Sequence, residues 1–565
     1  MRRMKIVLSS LIITTLCFFL ISLFAQVEIP RGKSGSDYVN EAKRYVQGIS
    51  VEEAKQIYDK DKTVLFVDVR PYTEYAKDGY LFRRLDLPAG RVIFDARFRI
   101  PNKDTPIIVY ARKGKRAVMA AAQLVQMGYT NVRYMEGGIL GWKRAGYPIM
   151  HSSFVGTIDM PQGKTPEEFL KEAKTVAGEG ITPLEAKERI DKDPNTVILD
   201  VATRREYAIM GFKIPGSIVT SYGEIVFTDF MKKNFPDANI PIIVNCTTGK
   251  RGLQIAKVLK EMGYKNVTYI RGGLGAWKKA GLPLEKYEPT QERKIKSVNL
   301  SQVEPPQGKT GEDFANEAKR YVRGISLIEA KKKFDNKEAI FVDVRRRSEY
   351  KSGFIEGSLD IPLGRLIFDA RTRIPNKNTP IITYCEKGMR GAIAGSYLVQ
   401  MGYTNVRYLE GGISAWKKAG YPVIISPYYY KIDLPQGKTP EEFLKEAKTV
   451  AGEGITPLEA KERIDKDPNT VILDVSTPIE HTLLGKIEGS LLLEQGKVPF
   501  NIKKKVHDAR TPIIVTCSTG KRAILVAKIL KEMGYKNVTY IRGGLGAWKK
   551  AGLPTVGYVK GEEEL

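Results

Sequence analysis

The sequence predicts an α/β protein of four tandem domains, each a parallel sheet flanked by helices. The length of 565 residues fits about four domains of ordinary size. The four tryptophans each lie in the same Gly-Gly-x-x-x-Trp-Lys-[Lys/Arg]-Ala-Gly motif, and a longer unit of about 270 residues is duplicated. The chain is therefore a duplicated two-domain unit with repeats in the order A-B-A′-B′.

The second repeat shows how each element is predicted. Residues 196–201 and 241–246 are short apolar runs rich in β-branched residues, which is typical of strands buried on both faces. Residues 251–262 have apolar residues at helical spacing, and Gly263 follows as a stop signal. The run 266–270 is the next strand. Strand, helix and strand in succession predict a parallel sheet.

Each repeat opens with a Pro-x-Gly-Lys-[Ser/Thr] segment, at Pro30, Pro161, Pro306 and Pro435. An acidic, lysine-rich stretch of helical character follows each of them, so we interpret these segments as connectors between domains. The predicted domains are residues 26–155, 156–297, 298–428 and 429–565.

The N-terminus predicts export. Arg2, Arg3 and Lys5 precede the uncharged stretch 6–25, which resembles a signal peptide over residues 1–25 and is also long enough to serve as an uncleaved anchor. We expect the protein to be periplasmic or otherwise extracytoplasmic, with membrane association through this segment as an alternative to cleavage. Cys17 lies within it, so the mature chain keeps three cysteines, an odd number.

Composition and charge indicate a folded protein with anionic partners. The chain is 42% hydrophobic and 27% charged, which excludes a wholly disordered protein, and its net charge of +27 favours anionic partners. The lysines alternate with glutamates along helices rather than forming one patch, which is typical of a solvated surface. We expect no nucleic-acid partner.

The three remaining cysteines occupy one equivalent position, at the carboxyl end of a strand and just before a helix. Ligands bind at such strand ends in open α/β sheets, and helix N-termini and basic neighbours stabilise a thiolate. We expect ionised, exposed, nucleophilic thiols, with a glycine that lets several N–H groups converge on one anion. The loops are Cys246, Thr247, Thr248, Gly249, Lys250, Arg251; Cys385, Glu386, Lys387, Gly388, Met389, Arg390; and Cys517, Ser518, Thr519, Gly520, Lys521, Arg522.

These Cys-x-x-Gly-x-Arg loops, the Asp-Val-Arg motif at Asp68 and Asp343 and the tryptophan motif resemble the rhodanese (thiosulfate sulfurtransferase) family. The resemblance covers four tandem domains and nearly the whole mature chain. It implies that each loop cysteine accepts sulfane sulfur from a small anionic donor, such as thiosulfate or polysulfide, and passes it to a thiol, a protein acceptor or another nucleophile. It implies that the loop residues bind the substrate, and it implies no metal or organic cofactor.

Several positions depart from the family pattern. Ala111 stands where the first loop would have its cysteine, so that loop cannot form a persulfide. The first pair of domains then resembles two-domain rhodaneses with an inactive N-terminal half. Asp200 and Asp474 are not followed by the motif's arginine, which puts the contacts around those loops in doubt. Glu386 should oppose the neighbouring thiolate, so we expect Cys246 and Cys517 to be more reactive than Cys385.

Other cysteine chemistries have less support. One buried cysteine is common, but three at one loop position are an improbable coincidence. Disulfides between equivalent sites of separate domains, zinc binding and Cys-His hydrolysis all lack partners at a suitable spacing. His151, His481 and His507 are expected at the surface.

Two anion-binding alternatives are also disfavoured. Related phosphatase loops are one residue longer between cysteine and arginine, so a phosphate ester should fit poorly here. The Gly-Lys-Thr at Gly163 lacks the earlier glycine of a nucleotide-binding loop, since Ile158 stands there. Two rivals to a sulfurtransferase stay open, a sulfur or persulfide carrier without appreciable turnover and a purely structural interaction array.

Overall fold

The computed structural model describes residues 27–288, 304–430 and 432–558. The predicted signal segment, residues 1–25, lies outside these ranges. Within them, no helix is both long and apolar enough to cross a bilayer. The described residues divide into two compact units, one within residues 45–437 and one of residues 27–44 together with 438–558.

Domain 1 is built on a five-stranded parallel sheet. Its strands lie in the order Gln47–Ile49, Val132–Met135, Ile107–Tyr110, Leu65–Asp68 and Leu85–Asp86. Its helices are Val51–Lys60, Glu74–Asp78, Val92–Arg99, Lys115–Gln126 and Gly138–Arg144. The preceding helix, Gly35–Lys43, belongs to the other compact unit.

Domain 2 confirms the strands and the helix predicted for the second repeat. Its parallel sheet has the order Val267–Tyr269, Ile242–Asn245, Val197–Asp200 and Ile218–Val219, beside an antiparallel pair of Phe212–Lys213 and Glu285–Lys286. Its helices are Pro166–Ala177, Pro183–Lys192, Arg204–Met210, Tyr222–Phe227, Phe230–Asn234, Lys250–Glu261 and Gly273–Lys279.

Domain 3 repeats the five-stranded parallel sheet of domain 1. Its strands are ordered Arg323–Ile325, Val406–Leu409, Ile381–Tyr384, Ile340–Asp343 and Leu359–Asp360. Its α-helices are Gly311–Lys319, Leu327–Asp335, Leu366–Arg373, Met389–Gln400, Gly412–Lys418 and Pro427–Tyr430, with a 3₁₀ turn at Arg347–Ser352.

Domain 4 has a four-stranded parallel sheet in the order Leu491–Leu492, Val471–Asp474, Ile513–Thr516 and Val538–Tyr540. Its helices are Pro440–Ala451, Pro457–Lys466, Pro478–Leu484, Val498–Asn501, Lys521–Glu532 and Gly544–Lys550. Four parallel sheets flanked by helices confirm the predicted fold class.

The tryptophan motif forms the core under each loop. All four indoles are at most 1% exposed, and each donates its N–H to the carbonyl of the proline six residues later, at 2.8–3.0 Å. A buried indole needs such an acceptor, which explains the fixed spacing from tryptophan to proline in the motif.

The Pro-x-Gly-Lys segments dock on helix ends of other domains. The amide of Gly163, before domain 2, donates to Met401 of domain 3 at 2.9 Å, and that of Lys309, before domain 3, donates to Glu261 of domain 2 at 2.8 Å. A Cβ on Gly163 would lie 2.3 Å from the carbonyl oxygen of Gln400. The glycine in this motif thus allows a close backbone approach, and domains 2 and 3 exchange connectors.

Candidate functional site

The loop of domain 2 joins the strand Ile242–Asn245 to the helix Lys250–Glu261 and holds Cys246 at its base. Gly249 has a φ of +79°, in the left-handed region that favours glycine, and there the chain turns into the helix. Gly273 closes the loop from the side, where a Cβ would lie 2.1 Å from the carbonyl oxygen of Cys246. Two backbone hydrogen bonds, Leu274 to Cys246 at 2.8 Å and Gly275 to Thr247 at 3.1 Å, fix this contact.

The loop amides are available to an anion. Among the described residues, no backbone N–H from Thr247 to Arg251 donates to a backbone acceptor, and the first such donor is Leu253, to Gly249 at 2.9 Å. Unpaired amides at a helix start together form an anion-binding concavity. Loops at Cys385 and Cys517 follow the same plan, with φ of +95° at Gly388 and +79° at Gly520.

The loop residues divide into an inner and an outer set. Cysteine, glycine and arginine face inward: Cys246, Gly249, Arg251, Gly388, Gly520 and Arg522 are buried, while Arg390 is partly buried. Thr248, Lys250, Lys387, Thr519 and Lys521 are exposed, while Thr247, Glu386, Met389 and Ser518 are intermediate. The lysines are thus placed to attract anions from solvent rather than to contact the sulfur.

A glutamate holds each loop arginine. In domain 2, Glu206 accepts two hydrogen bonds from Arg251, at 2.7 and 2.8 Å, and Arg251 also donates to the Thr247 hydroxyl at 3.2 Å. Burial alone would raise the pKa of Glu206, but Arg251 and Arg365 outweigh it and lower the pKa to about 2. The pair is fully charged at neutral pH and fixes the arginine beside the cysteine.

The same brace recurs in the other domains. Arg390 pairs with Glu349 at 2.6 Å, and Arg522 with Glu480 at 2.5 Å. Burial raises the pKa of Glu349, but hydrogen bonding and the charge of Arg390 outweigh it and lower the pKa to about 2. These glutamates were not predicted from the sequence, although each stands six residues after the motif aspartate.

Glu386 is neutralised by its surroundings. Arg345 donates to one carboxylate oxygen at 3.2 Å, the Ser414 hydroxyl donates to the other at 2.7 Å, and Lys417 lies 3.9 Å away. The buried Arg345 also binds Asp343 at 2.8 Å. The negative charge of Glu386 is therefore balanced by nearby cations, which the sequence position alone does not indicate, and the relative reactivity of the three cysteines stays a prediction.

His481 corrects an expectation. His151 and His507 are exposed as expected, but His481 is only 2% exposed, so its surface placement was wrong. Its Nε2 lies 3.2 Å from the carboxylate of Asp474. The imidazole thus lies beside Asp474 in a domain that lacks the motif arginine, but neither of its nitrogens makes a hydrogen bond among the described residues, unlike Arg345 beside Asp343.

In domain 2, which also lacks the motif arginine, an asparagine contacts the motif aspartate. Asp200 is buried and accepts one side-chain hydrogen bond, from Asn245 at 2.9 Å, with Ala202 at the arginine position. Burial raises the pKa of Asp200 to about 7, against the lowering effect of that hydrogen bond. The aspartate is thus partly protonated near neutral pH.

Domain 1 keeps the architecture of the loop without its nucleophile. Ala111 is buried at the cysteine position, and Gly114 has a φ of +91°. Arg116 pairs with Glu74 at 2.6 Å, as the arginines of the other loops do with their glutamates. Only the sulfur is missing.

The three thiols are not exposed, which corrects a second expectation. Cys246 and Cys517 are 0% exposed and Cys385 is 2% exposed, all without a disulfide partner. The loop backbone and the glycine that closes on it surround the sulfur more tightly than the pattern of residues indicates. The described residues contain no cluster of three or more histidine, cysteine or acidic side chains able to hold a metal.

Domains 2 and 3 complete each other's loops. Arg365 of domain 3 donates to Glu206 at 3.0 Å, next to the Arg251 of domain 2. In return, a Cβ on Gly223 of domain 2 would lie 3.0 Å from the guanidinium of Arg390. Arg346, also of domain 3, pairs with Glu224 of domain 2 at 2.6 Å. The Cys246 and Cys385 loops therefore both adjoin the same interdomain contact.

The sequence and the structure were compared with protein families and known proteins. A family model described as rhodanese-like domain matches residues 50–145, 182–280, 326–419 and 456–551, more than half of the chain. A sulfurtransferase of Allochromatium vinosum is 37% identical over 90 residues, which are 16% of this chain and 82% of the relative. A tRNA uridine(34) hydroxylase of Photorhabdus laumondii is 33% identical over 97 residues, 16% of this chain, but the match covers only 28% of that relative. A solved thiosulfate sulfurtransferase from Pseudomonas aeruginosa is 22% identical with a TM-score of 0.38, covering 91% of this chain and 90% of that one.

Proposed function

This chain belongs to the rhodanese family, and we propose that it is an exported sulfurtransferase that carries sulfane sulfur as cysteine persulfides. The observation that carries the proposal is the threefold recurrence of a cysteine at the base of a loop whose amides lack backbone acceptors. The donor is a small anion such as thiosulfate or polysulfide. The acceptor is a thiol, free or on a protein.

The reaction runs in two displacements. The thiolate of Cys246, Cys385 or Cys517 attacks the outer sulfur of thiosulfate, the sulfur–sulfur bond breaks, and sulfite leaves with the electron pair. The enzyme is then a cysteine persulfide. An acceptor thiolate attacks its terminal sulfur, and the cysteine leaves as a thiolate, which restores the starting state without any external oxidant or reductant.

The loop stabilises the anions of both steps. Free amides of the loop donate to the negative charge on the donor and on the persulfide, as preorganised donors do in oxyanion holes. Arg251, held by Glu206, adds a fixed positive charge beside Cys246. The brace keeps the arginine in place, so no reorganisation is needed when charge arrives.

Access requires a movement, since the thiols are buried. The interdomain contact at Arg365 and Glu206 adjoins the domain 2 loop, so separation of domains 2 and 3 is the simplest opening there. Localisation outside the cytoplasm, with or without an N-terminal anchor, remains part of the proposal and rests on the basic and apolar residues 1–25.

The burial of all three thiols also favours a second function, a carrier that stores sulfur shielded from solvent. The number of thiosulfate molecules that each chain consumes distinguishes the sulfurtransferase from the carrier. We expect multiple turnovers of thiosulfate with a thiol acceptor in the parent protein and none in the Cys246→Ser, Cys385→Ser, Cys517→Ser triple variant. Stoichiometric uptake followed by no further sulfite release would refute the enzyme and support the carrier.

A further inference from the structure

A cluster of arginines lies apart from the cysteine loops, where domains 1, 2 and 3 meet. Its members come from all three domains and lie near one carboxylate. They are Arg99 of domain 1, Arg205 of domain 2, and Arg347, Arg373 and Asp360 of domain 3.

The contacts leave positive charge unsatisfied. Arg347 donates to the Asp360 carboxylate at 2.8 Å and to the carbonyl of Arg99 at 2.9 Å, while Arg373 donates to the Asp360 carbonyl at 2.5 Å. Nη1 of Arg205 is 4.0 Å from the Asp360 carboxylate, and this buried nitrogen has no hydrogen-bond partner among the described residues. Nη1 of Arg205 therefore lies at ion-pair distance from Asp360 but has no hydrogen-bond acceptor of its own.

Neighbouring carboxylates are already engaged. Asp86 is held by Arg84 at 2.7 Å, and Asp95 by Arg91 at 2.9 Å. Among the described residues, Arg347 donates to Oδ2 of the Asp360 carboxylate, Arg205 lies 4.0 Å from the same oxygen, and Oδ1 has no hydrogen-bond partner. Arg373 donates to the backbone carbonyl instead and Arg99 adds a nearby positive charge, so the guanidinium groups of the cluster outnumber its carboxylate.

The titration behaviour agrees with this imbalance. Burial and the nearby Arg373 lower the pKa of Arg99 to about 9. Burial and Arg347 lower the pKa of Arg205 to about 10. Arginine normally stays protonated far above this range, so the two charges are held at a real cost.

We propose that this arginine cluster binds a small divalent tetrahedral oxyanion, the class that includes sulfate, thiosulfate and phosphate. A dianion balances most of the excess charge, and guanidinium groups present paired donors that match such oxygens. The unpartnered Nη1 of Arg205 supplies one of the donors. This site is independent of the sulfur-transfer reaction and of the three cysteines.

The test uses the full chain with all three loop cysteines changed to serine, so that no persulfide forms. Sulfate binding is measured by calorimetry and by thermal unfolding in millimolar sulfate against chloride of equal ionic strength. Arg205→Gln and Arg373→Gln remove cluster donors, and Arg133→Gln, at an exposed pair with Glu53, is the matched control. Sulfate also stabilises proteins generally, so the comparison is between variants.

We expect the parent and the Arg133→Gln variant to bind sulfate, with at least tenfold weaker binding at one site in Arg205→Gln and in Arg373→Gln. In chloride, Arg205→Gln should unfold at a higher temperature than the parent, because it relieves like-charge repulsion. This result also guards against a variant that merely fails to fold. Crystals soaked in selenate should show an anomalous peak beside Arg205.

Competition identifies the ligand. Displacement of sulfate by both thiosulfate and phosphate supports the general oxyanion class, and displacement by thiosulfate alone narrows the site to sulfur oxyanions. Identical sulfate titrations of the parent, Arg205→Gln and Arg373→Gln would overturn the proposal. So would a selenate peak confined to the cysteine loops.

Discussion

Glu206→Gln is the substitution that tests the loop brace most sharply. It keeps the size and shape of the side chain but removes the negative charge that holds Arg251 through hydrogen bonds of 2.7 and 2.8 Å. Arg251 is 7% exposed and would be left as a buried charge without a carboxylate. We expect the loop around Cys246 to lose its fixed geometry.

The magnitude follows from the titration of Glu206. Its pKa falls from an ordinary 4.5 to about 2, a difference worth about 3 kcal/mol at ~1.4 kcal/mol per pH unit. Because the pKa is depressed, this stabilisation is complete above pH 4.5 and is lost as the pH falls towards 2. Removing one partner of a buried ion pair typically costs about 3–5 kcal/mol, which agrees.

The assay is peptide mapping after thiosulfate treatment at about pH 7.5. We expect at least tenfold less sulfur on the Cys246 peptide of Glu206→Gln, with unchanged uptake at Cys385 and Cys517. The control is Glu188→Gln, since the Glu188 side chain is 60% exposed and pairs with the surface residue Lys192. Normal loading of Cys246 in Glu206→Gln, at parental stability, would refute the bracing role.

Two further predictions test neighbouring features. Burial raises the pKa of Asp200 from 3.8 to about 7, so the protonated carboxyl stabilises the fold below pH 3.8 and this contribution is lost as the pH rises through about 7. Asp200→Asn, which stays neutral, should therefore increase the hydrogen-exchange protection of the domain 2 sheet by up to about 4 kcal/mol at pH 8 and by much less at pH 4. Asp343→Asn should destabilise domain 3 instead, since it removes the fully buried carboxylate that pairs with Arg345 and leaves the partly exposed Glu386 to balance that charge, and equal effects of the two substitutions would contradict the assignment. Ala111→Cys should give the chain a fourth sulfur-accepting loop, in domain 1, because Arg116 and Glu74 are already paired there. If the domain 1 loop peptide of this variant stays unmodified while the Cys246 peptide carries sulfur, the loop needs more than its cysteine.

The fold could be predicted from the sequence because its signals are local and repeated. Apolar β-branched runs such as residues 241–246 can be buried on both faces only as inner strands, and the helix after them ends at a glycine. The four tryptophan motifs gave the number of domains. None of this depends on how one domain meets another.

The candidate site could be predicted only in part. The loop cysteines and arginines follow from a short motif, but their burial depends on the close approach of Gly273, more than twenty residues away. His481 is likewise buried 3.2 Å from Asp474, a placement that no motif in the sequence indicates. The reach of Arg365 into domain 2 depends on packing between domains, which the sequence of either domain alone does not encode.

Each of the three sheltered thiols should take up one sulfur atom. Mass spectrometry of the intact protein after brief exposure to thiosulfate measures this directly, with digestion to locate the gain. We expect additions of single sulfur atoms, at most three per chain, confined to the peptides of Cys246, Cys385 and Cys517 and reversed by a small thiol. An unchanged mass in folded protein, or sulfur that persists after all three cysteines are changed to serine, would contradict it.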